Sequence, residues 1–250
     1  MSQYLRRRLA LTLCAMATGA LALATPTALH AQAPAPAGPE QVVASLKQSL
    51  ANSQQRLRQY QWIETTVISL KGEEKSRKEE QVYYGADGAL VKLPVPGAAA
   101  APPPPSGGRG GRLKEKVKEN KVDEMKDYMD RATKLIHLYV PPAPARIQQA
   151  KDAGHVQLTP QGPGGVRVEF PAFVQPGDLL AIDVDTAAYA LKTVSVNTYL
   201  DKPSETVTLN VQYGTLNDGT SYAAQTTLDA AAKKIRVVVT NSGHRPLSGR

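Results

Sequence analysis

The chain has 250 residues, 42 % of them hydrophobic but only 5 % aromatic, with 30 Lys plus Arg against 22 Asp plus Glu for a formal net charge of +8. Three of the positive charges are Arg6, Arg7 and Arg8; without the first 31 residues the balance is 27 against 22, too mild an excess for a nucleic-acid binder. One cysteine and four histidines leave little material for thiol chemistry or a histidine-rich metal site.

Residues 1–31 read as a secretory signal. Arg6 to Arg8 form the basic start, Leu9 to Ala24 an apolar run, and small residues lead out to Ala31. Cleavage at Ala31-Gln32-Ala33 would leave Pro34 first, so the cut is placed after Ala31, with Gln32 leading the mature chain. An uncleaved anchor is the alternative, opposed by the Gly, Thr and Pro residues that interrupt the run. Cys14 follows Leu13 early in that run, the wrong context for a lipid-modified cysteine. The mature chain then has no cysteine, and so no disulfide, thiolate metal site or thiol nucleophile. The expectation is an exported protein, soluble in a bacterial periplasm after cleavage and not membrane-spanning.

Residues 32–38 form a Pro/Ala linker, and 39–250 read as a single domain. Pro39 suits the first turn of a helix, and Val43, Leu46, Leu50, Leu57 and Tyr60 recur at three- and four-residue steps, predicting a helix over 39–59. Trp62–Leu70 then reads as a strand, Lys71–Glu80 as a charged turn, Gln81–Tyr84 and Ala89–Leu93 as two further strands about an Asp87-Gly88 turn. Residues 94–112 are Pro-, Ala- and Gly-rich and are expected to form a disordered insert. Their Gly-Gly-Arg repeats have the form of an RNA-binding fragment, but in an exported chain a flexible insert is the better reading.

A charged helix is predicted over 113–139, with Leu113, Val117, Met125, Met129, Ala132, Leu135 and Ile136 along its apolar stripe and prolines 141, 142 and 144 after it. A short helix over 145–153 ends at Gly154. The remainder reads as β: Val166–Phe170, Leu179–Val184, Leu191–Leu200, Val207–Tyr213, Ala223–Leu228 and Lys234–Asn241, with hairpin chemistry at Asn217-Asp218-Gly219. Since no helix-length segment separates these strands, they must run as an antiparallel meander. Val194 and Val196, Leu209 and Val211, Val237 and Val239 alternate with polar residues, so one face is apolar and needs covering by the two amphipathic helices. The predicted class is α+β: a curved antiparallel sheet, an incomplete barrel, with helices on its concave face.

No phosphate-binding loop, dinucleotide fingerprint or nucleophile elbow is present. His137, His155 and His244 lie far apart. Asp178, Asp183 and Asp185 could offer oxygen ligands to calcium but lack the loop spacing, and they read as turn residues and a strand's wet face. Glu64 reads as the outer face of its strand, with a cavity-facing acid as the alternative; Trp62 reads as core beneath the first helix or as the lining of a pocket. Neither a cofactor nor an enzyme is expected.

The signal, the opening helix, Trp62–Leu70, the Asp87-Gly88 turn and the closing meander through Asn217-Asp218-Gly219 to Ile235–Asn241 together resemble the Lol-type periplasmic lipoprotein-carrier superfamily. The resemblance lies in element order over most of 39–243; the insert 94–112 and the missing lipid anchor depart from it. It implies a half-barrel closed by helices over a hydrophobic cavity. The resulting expectation is a non-enzymatic binding protein for a hydrophobic ligand, a lipid or acylated protein. Its candidate face comprises Trp62, Val194, Val196, Leu209, Val211, Val237 and Val239. The alternative is a cell-envelope interaction module with no ligand cavity.

Overall fold

Pro39, whose ring fixes a helical φ, opens α1 (Pro39–Leu57) in the computed structural model, which describes residues 39–95 and 111–247. The signal, the linker 32–38 and the bulk of the insert lie outside the described residues. All the described residues belong to one compact unit, Ala37–Arg250.

The branched run after α1 forms β1 (Tyr60–Leu70), which turns directly into β2 (Glu73–Tyr84). This corrects the expectation of a charged turn over Lys71–Glu80. Lys71 at φ 55° and Gly72 at φ 85° supply the two positive-φ positions of a tight hairpin whose twist suits the flanking strands, so pairing resumes at Glu73 opposite Leu70. The charges that hid this strand have a physical reason. β3 (Leu90–Pro94) pairs only with Glu80–Tyr84, leaving the first half of β2 as an open edge, and charged side chains there resist pairing with another chain.

α2 (Gly111–Ile136) ends three residues earlier than its periodicity suggests, and a turn covers 137–142 ahead of α3 (Pro144–Asp152). Gly154 at φ 71° ends α3 as expected. A short edge strand without sequence signal follows, β4 (Gln157–Pro160). The meander then runs β5 (Gly165–Pro171), β6 (Leu179–Asp185), β7 (Ala190–Tyr199), β8 (Thr206–Thr215) and β9 (Ser221–Ala230), then a single 3-10 turn at Ala231–Lys233 and β10 (Ile235–Pro246).

Among the described residues every pairing is antiparallel, and the ten strands lie in the order β3-β2-β1-β10-β9-β8-β7-β6-β5-β4. The sheet is curved and open, with β3 and β4 as its free edges, and the α+β class is as predicted. Two sequence-distant strands meet inside it as its third and fourth members, β1 against β10 from Tyr60 opposite Pro246 to Leu70 opposite Ile235. Among the described residues no helix is long and apolar enough to cross a membrane.

The main core lies over β5–β8. Phe170, Leu180, Val194, Val196, Val207, Leu209 and Val211 pack beneath Ala132 and Ile136 of α2, Tyr139, Phe173 and Ala150 of α3. Each such side chain contributes roughly 1.5–3 kcal/mol by leaving water. One polar group in this core is fully used. Asp178, 3 % exposed, accepts the backbone N–H groups of Phe173, Val174 and Gln175 at 2.6, 3.0 and 2.7 Å and the Tyr139 hydroxyl at 2.5 Å. Gln175 Nε2 closes the network by donating to Thr198 Oγ1 at 2.9 Å, itself 2.8 Å from the Tyr139 oxygen. Burial, then the bond to Asp178, pushes the Tyr139 phenol far above its ordinary pKa.

Candidate binding face

Opposed residues in an antiparallel ladder point to the same side. Phe170, Leu180, Val196, Leu209, Leu228, Val237 and Ile68 form one continuous cross-strand row. Val168, Ile182, Val194, Val211, Thr226, Val239 and Thr66 form the next. Trp62 follows on the same face of β1 by the two-residue period. All seven candidate residues therefore share the face that carries the helices.

Burial divides them. Val194, Val196, Leu209 and Val211 are 2–6 % exposed, in one core cluster with Ala132 and Ile136 of α2. Across β9, β10 and β1 the same rows are only half-buried: Leu228, Val237, Val239, Thr226 and Thr66 keep partial access, and Ile68 is 39 % exposed. α2 closes this second half at one end, where Met125, Tyr128 and Met129 meet Leu70, Ile235 and Val237. α1 packs against β9, β7 and β1. Among its described side chains none that is apolar is buried; Leu46, Leu50 and Leu57 are half-buried, and only Ser53 is enclosed. Polar hooks hold it instead: Arg56 donates to the Asp218 carbonyl at 2.9 Å, Ser53 Oγ accepts the Ser221 N–H at 3.1 Å, and just beyond the helix Tyr60 donates to Asp218 Oδ2 at 2.9 Å.

Trp62 is 6 % exposed and pinned in orientation. Its Nε1 donates to Asn241 Oδ1 at 3.0 Å, and Asn241 Nδ2 donates to the Ala223 carbonyl at 2.9 Å. The indole stacks on His244 with centroids 5.7 Å apart and planes 17° apart, and Tyr84 and Tyr222 flank the pair. Burial depresses the His244 pKa. Sequence reasoning missed His244, Asn241, Tyr84 and Tyr222, because it had no signal that β10 lies beside β1.

Glu64 corrects the reading that placed it on the outer face. It shares the face of Trp62 and stands directly opposite Glu80, the two side chains being 12 % and 11 % exposed. Each is neutralised from a neighbouring position, Glu64 by Lys92 at 2.5 Å and Glu80 by Lys78 at 2.7 Å, which makes two adjacent mostly buried carboxylates tolerable. The three aspartates do not converge. Asp178 ties the 173–175 backbone, Asp183 meets Arg167 and Thr193, and Asp185 accepts the N–H groups of Ala187 and Ala188. Among the described residues no three His, Cys, Asp or Glu side chains gather as a metal site.

No protein-family model and no curated protein matches the sequence. Among solved structures, the chain is similar to a DUF1329 family protein from Desulfovibrio piger at 10 % identity and a TM-score of 0.34, over 84 % of this chain and 94 % of that one.

Proposed function

We propose that this chain is an exported, non-enzymatic binding protein that takes up an acyl chain or comparably elongated apolar ligand along the half-buried face of β9, β10 and β1. The observation that carries this reading is the break in burial along two unbroken cross-strand rows, packed over β6–β8 and left partly open over Leu228, Val237, Val239 and Ile68. An apolar surface that the fold could have filled with α1 side chains is instead spanned by a helix held through hydrogen bonds, which can part without breaking a core. Of the seven candidate residues, Trp62, Val237 and Val239 border this ligand, whereas the four on β7 and β8 form the rigid wall beside it. The arginine-led signal and the element order resembling Lol-type carriers support periplasmic binding of a lipid or lipoprotein.

The test uses Trp62, the only tryptophan in the chain, as donor to a fluorescent fatty acid. Mature protein is expected to bind the probe with energy transfer from Trp62, and Val239→Glu to abolish that transfer while keeping its cooperative unfolding. Parent protein that binds no probe overturns the carrier reading. The second reading, an envelope interaction module, is favoured by apolar residues on both free edges: Leu90 and Leu93 of β3 are 45 % and 47 % exposed, and Leu158 of β4 63 %.

A further inference from the structure

The side of α1 that faces the β6–β7 and β8–β9 turns is polar where a packing helix would carry Leu or Ala. Ser49, Asn52, Ser53 and Arg56 line one wall of a cleft of about 350 Å³, and Tyr189 and Gly219 line the other. That volume falls at the lower end of small-molecule sites, ~300–1,000 Å³. We propose that this cleft is a second binding site, separate from the apolar face, for a neutral hydroxyl-rich ligand of the saccharide class.

The donor set points to that chemistry. The wall offers amides and hydroxyls, which both donate and accept and so can match vicinal hydroxyl groups. Gln48 Nε2 donates to Asn52 Oδ1 at 3.0 Å, which orients the pair and leaves the Asn52 amide N–H groups and the Gln48 carbonyl oxygen for a ligand. Among the described residues Arg56 is the one charged side chain lining the cleft, and its guanidinium, which donates to the Asp218 carbonyl, interacts with the opposite charge of the Asp218 carboxylate, so the lining carries little net charge. Tyr189 supplies the aromatic plane against which the apolar face of a sugar ring can rest. It does so at a backbone cost, because it holds φ 49°, a region that bulky residues rarely enter. The turn is braced to keep it there: Asp185 Oδ1 accepts the N–H groups of both Ala187 and Ala188, at 3.0 and 2.9 Å, and Lys192 pairs with the same carboxylate. On the opposite wall Gly219 holds φ 82°, the left-handed conformation the β8–β9 turn requires.

The experiment is saturation-transfer NMR on the mature protein with glucose, N-acetylglucosamine and cellobiose at millimolar concentration. At least one sugar is expected to receive saturation and to shift the amide resonances of Ser49, Asn52 and Gly219. Two variants separate binding from folding. Ser49→Leu fills the cleft with a better helix former, and Tyr189→Gly removes the ring while relieving the strained φ. Each is expected to weaken sugar binding about tenfold or more with a Tm no lower than the parent's and unchanged uptake of the fluorescent fatty acid. The proposal is overturned if none of the three sugars binds, or if a sugar binds and both variants bind it as the parent does.

Discussion

The two halves of the helix-bearing face belong to one sheet and are joined by unbroken cross-strand rows, yet one is a core and the other is not. Over β5–β8, α2 and α3 deliver Ala132, Ile136 and Ile147 onto valines and leucines already aligned, and the buried Asp178 network ties the loop above them. Over β9, β10 and β1 the floor is interrupted by Thr226, Thr66 and Glu64, and α1 encloses only Ser53 among its described side chains, its leucines staying half-buried. A sheet face is therefore not buried because it is apolar. It is buried where another element brings apolar groups of matching shape to it.

The largest effect that separates the halves should come from one substitution made in each. Val196→Asp places an unpaired carboxylate in the packed half and is expected to cost ~4 kcal/mol. Val239→Asp, one strand pair beyond the core and partly open, should cost only ~1 kcal/mol because its carboxylate reaches water. Urea unfolding of both decides the matter, and equal losses would mean that the second half is as closed as the first.

Next in size is the buried acid that supports the packed half. Asp178→Ala leaves three backbone N–H groups and the Tyr139 hydroxyl without their acceptor, and a loss of ~3 kcal/mol is expected. Asp185→Ala, which removes two exposed turn bonds and the Lys192 pair at the other end of β6, should lose ~1 kcal/mol. Comparable losses at the two positions, measured in the same unfolding assay, would show that Asp178 is not the strut described here.

A smaller loss is expected in the open half. Trp62→Phe preserves most of the packing but removes the bond to Asn241, for ~1 kcal/mol, and should loosen β10 at Asn241 as seen by faster amide exchange there. Unaltered exchange around Asn241 would count against that bond as the link between β1 and β10.

The smallest effect is a pH dependence. Burial lowers the His244 pKa in the folded protein, so between the folded value and the unfolded value near 6.5 the unfolded chain binds more protons. Stability from this group is present above pH ~6.5 and falls as pH drops through the folded pKa. A Tm that declines between neutral and mildly acidic pH in the parent, and declines less in His244→Phe, is the expected outcome; identical slopes would remove His244 from the account.

Much of the fold was legible because local physics marks it. Strict alternation at Val194–Thr198 and Val207–Val211 shows which side chains share a face, and Asn217-Asp218-Gly219 and Pro176-Gly177 mark turns that few other residues could make. The first half of β2 was hidden because an open edge with almost every residue exposed need not alternate, and β4 because its four residues are all exposed. The candidate face was half legible. Sequence alternation selected six aliphatic positions that do share one side of the sheet, but it assigned them a single environment. Glu64, read as an outward acid, lies on that side as well.

What the sequence by itself determined is most of the strands, the polarity of the strictly alternating ones and the antiparallel class, because those follow from neighbours two to four residues apart. What only the tertiary structure decided is the pairing of β1 with β10, which sets Trp62 against Asn241 and His244 across nearly the whole domain, and the division of one apolar face into a packed and a half-open part. Both depend on which elements meet in space. Alternation reports that a side chain leaves water on one side of a strand, and it carries no information about what arrives to cover it.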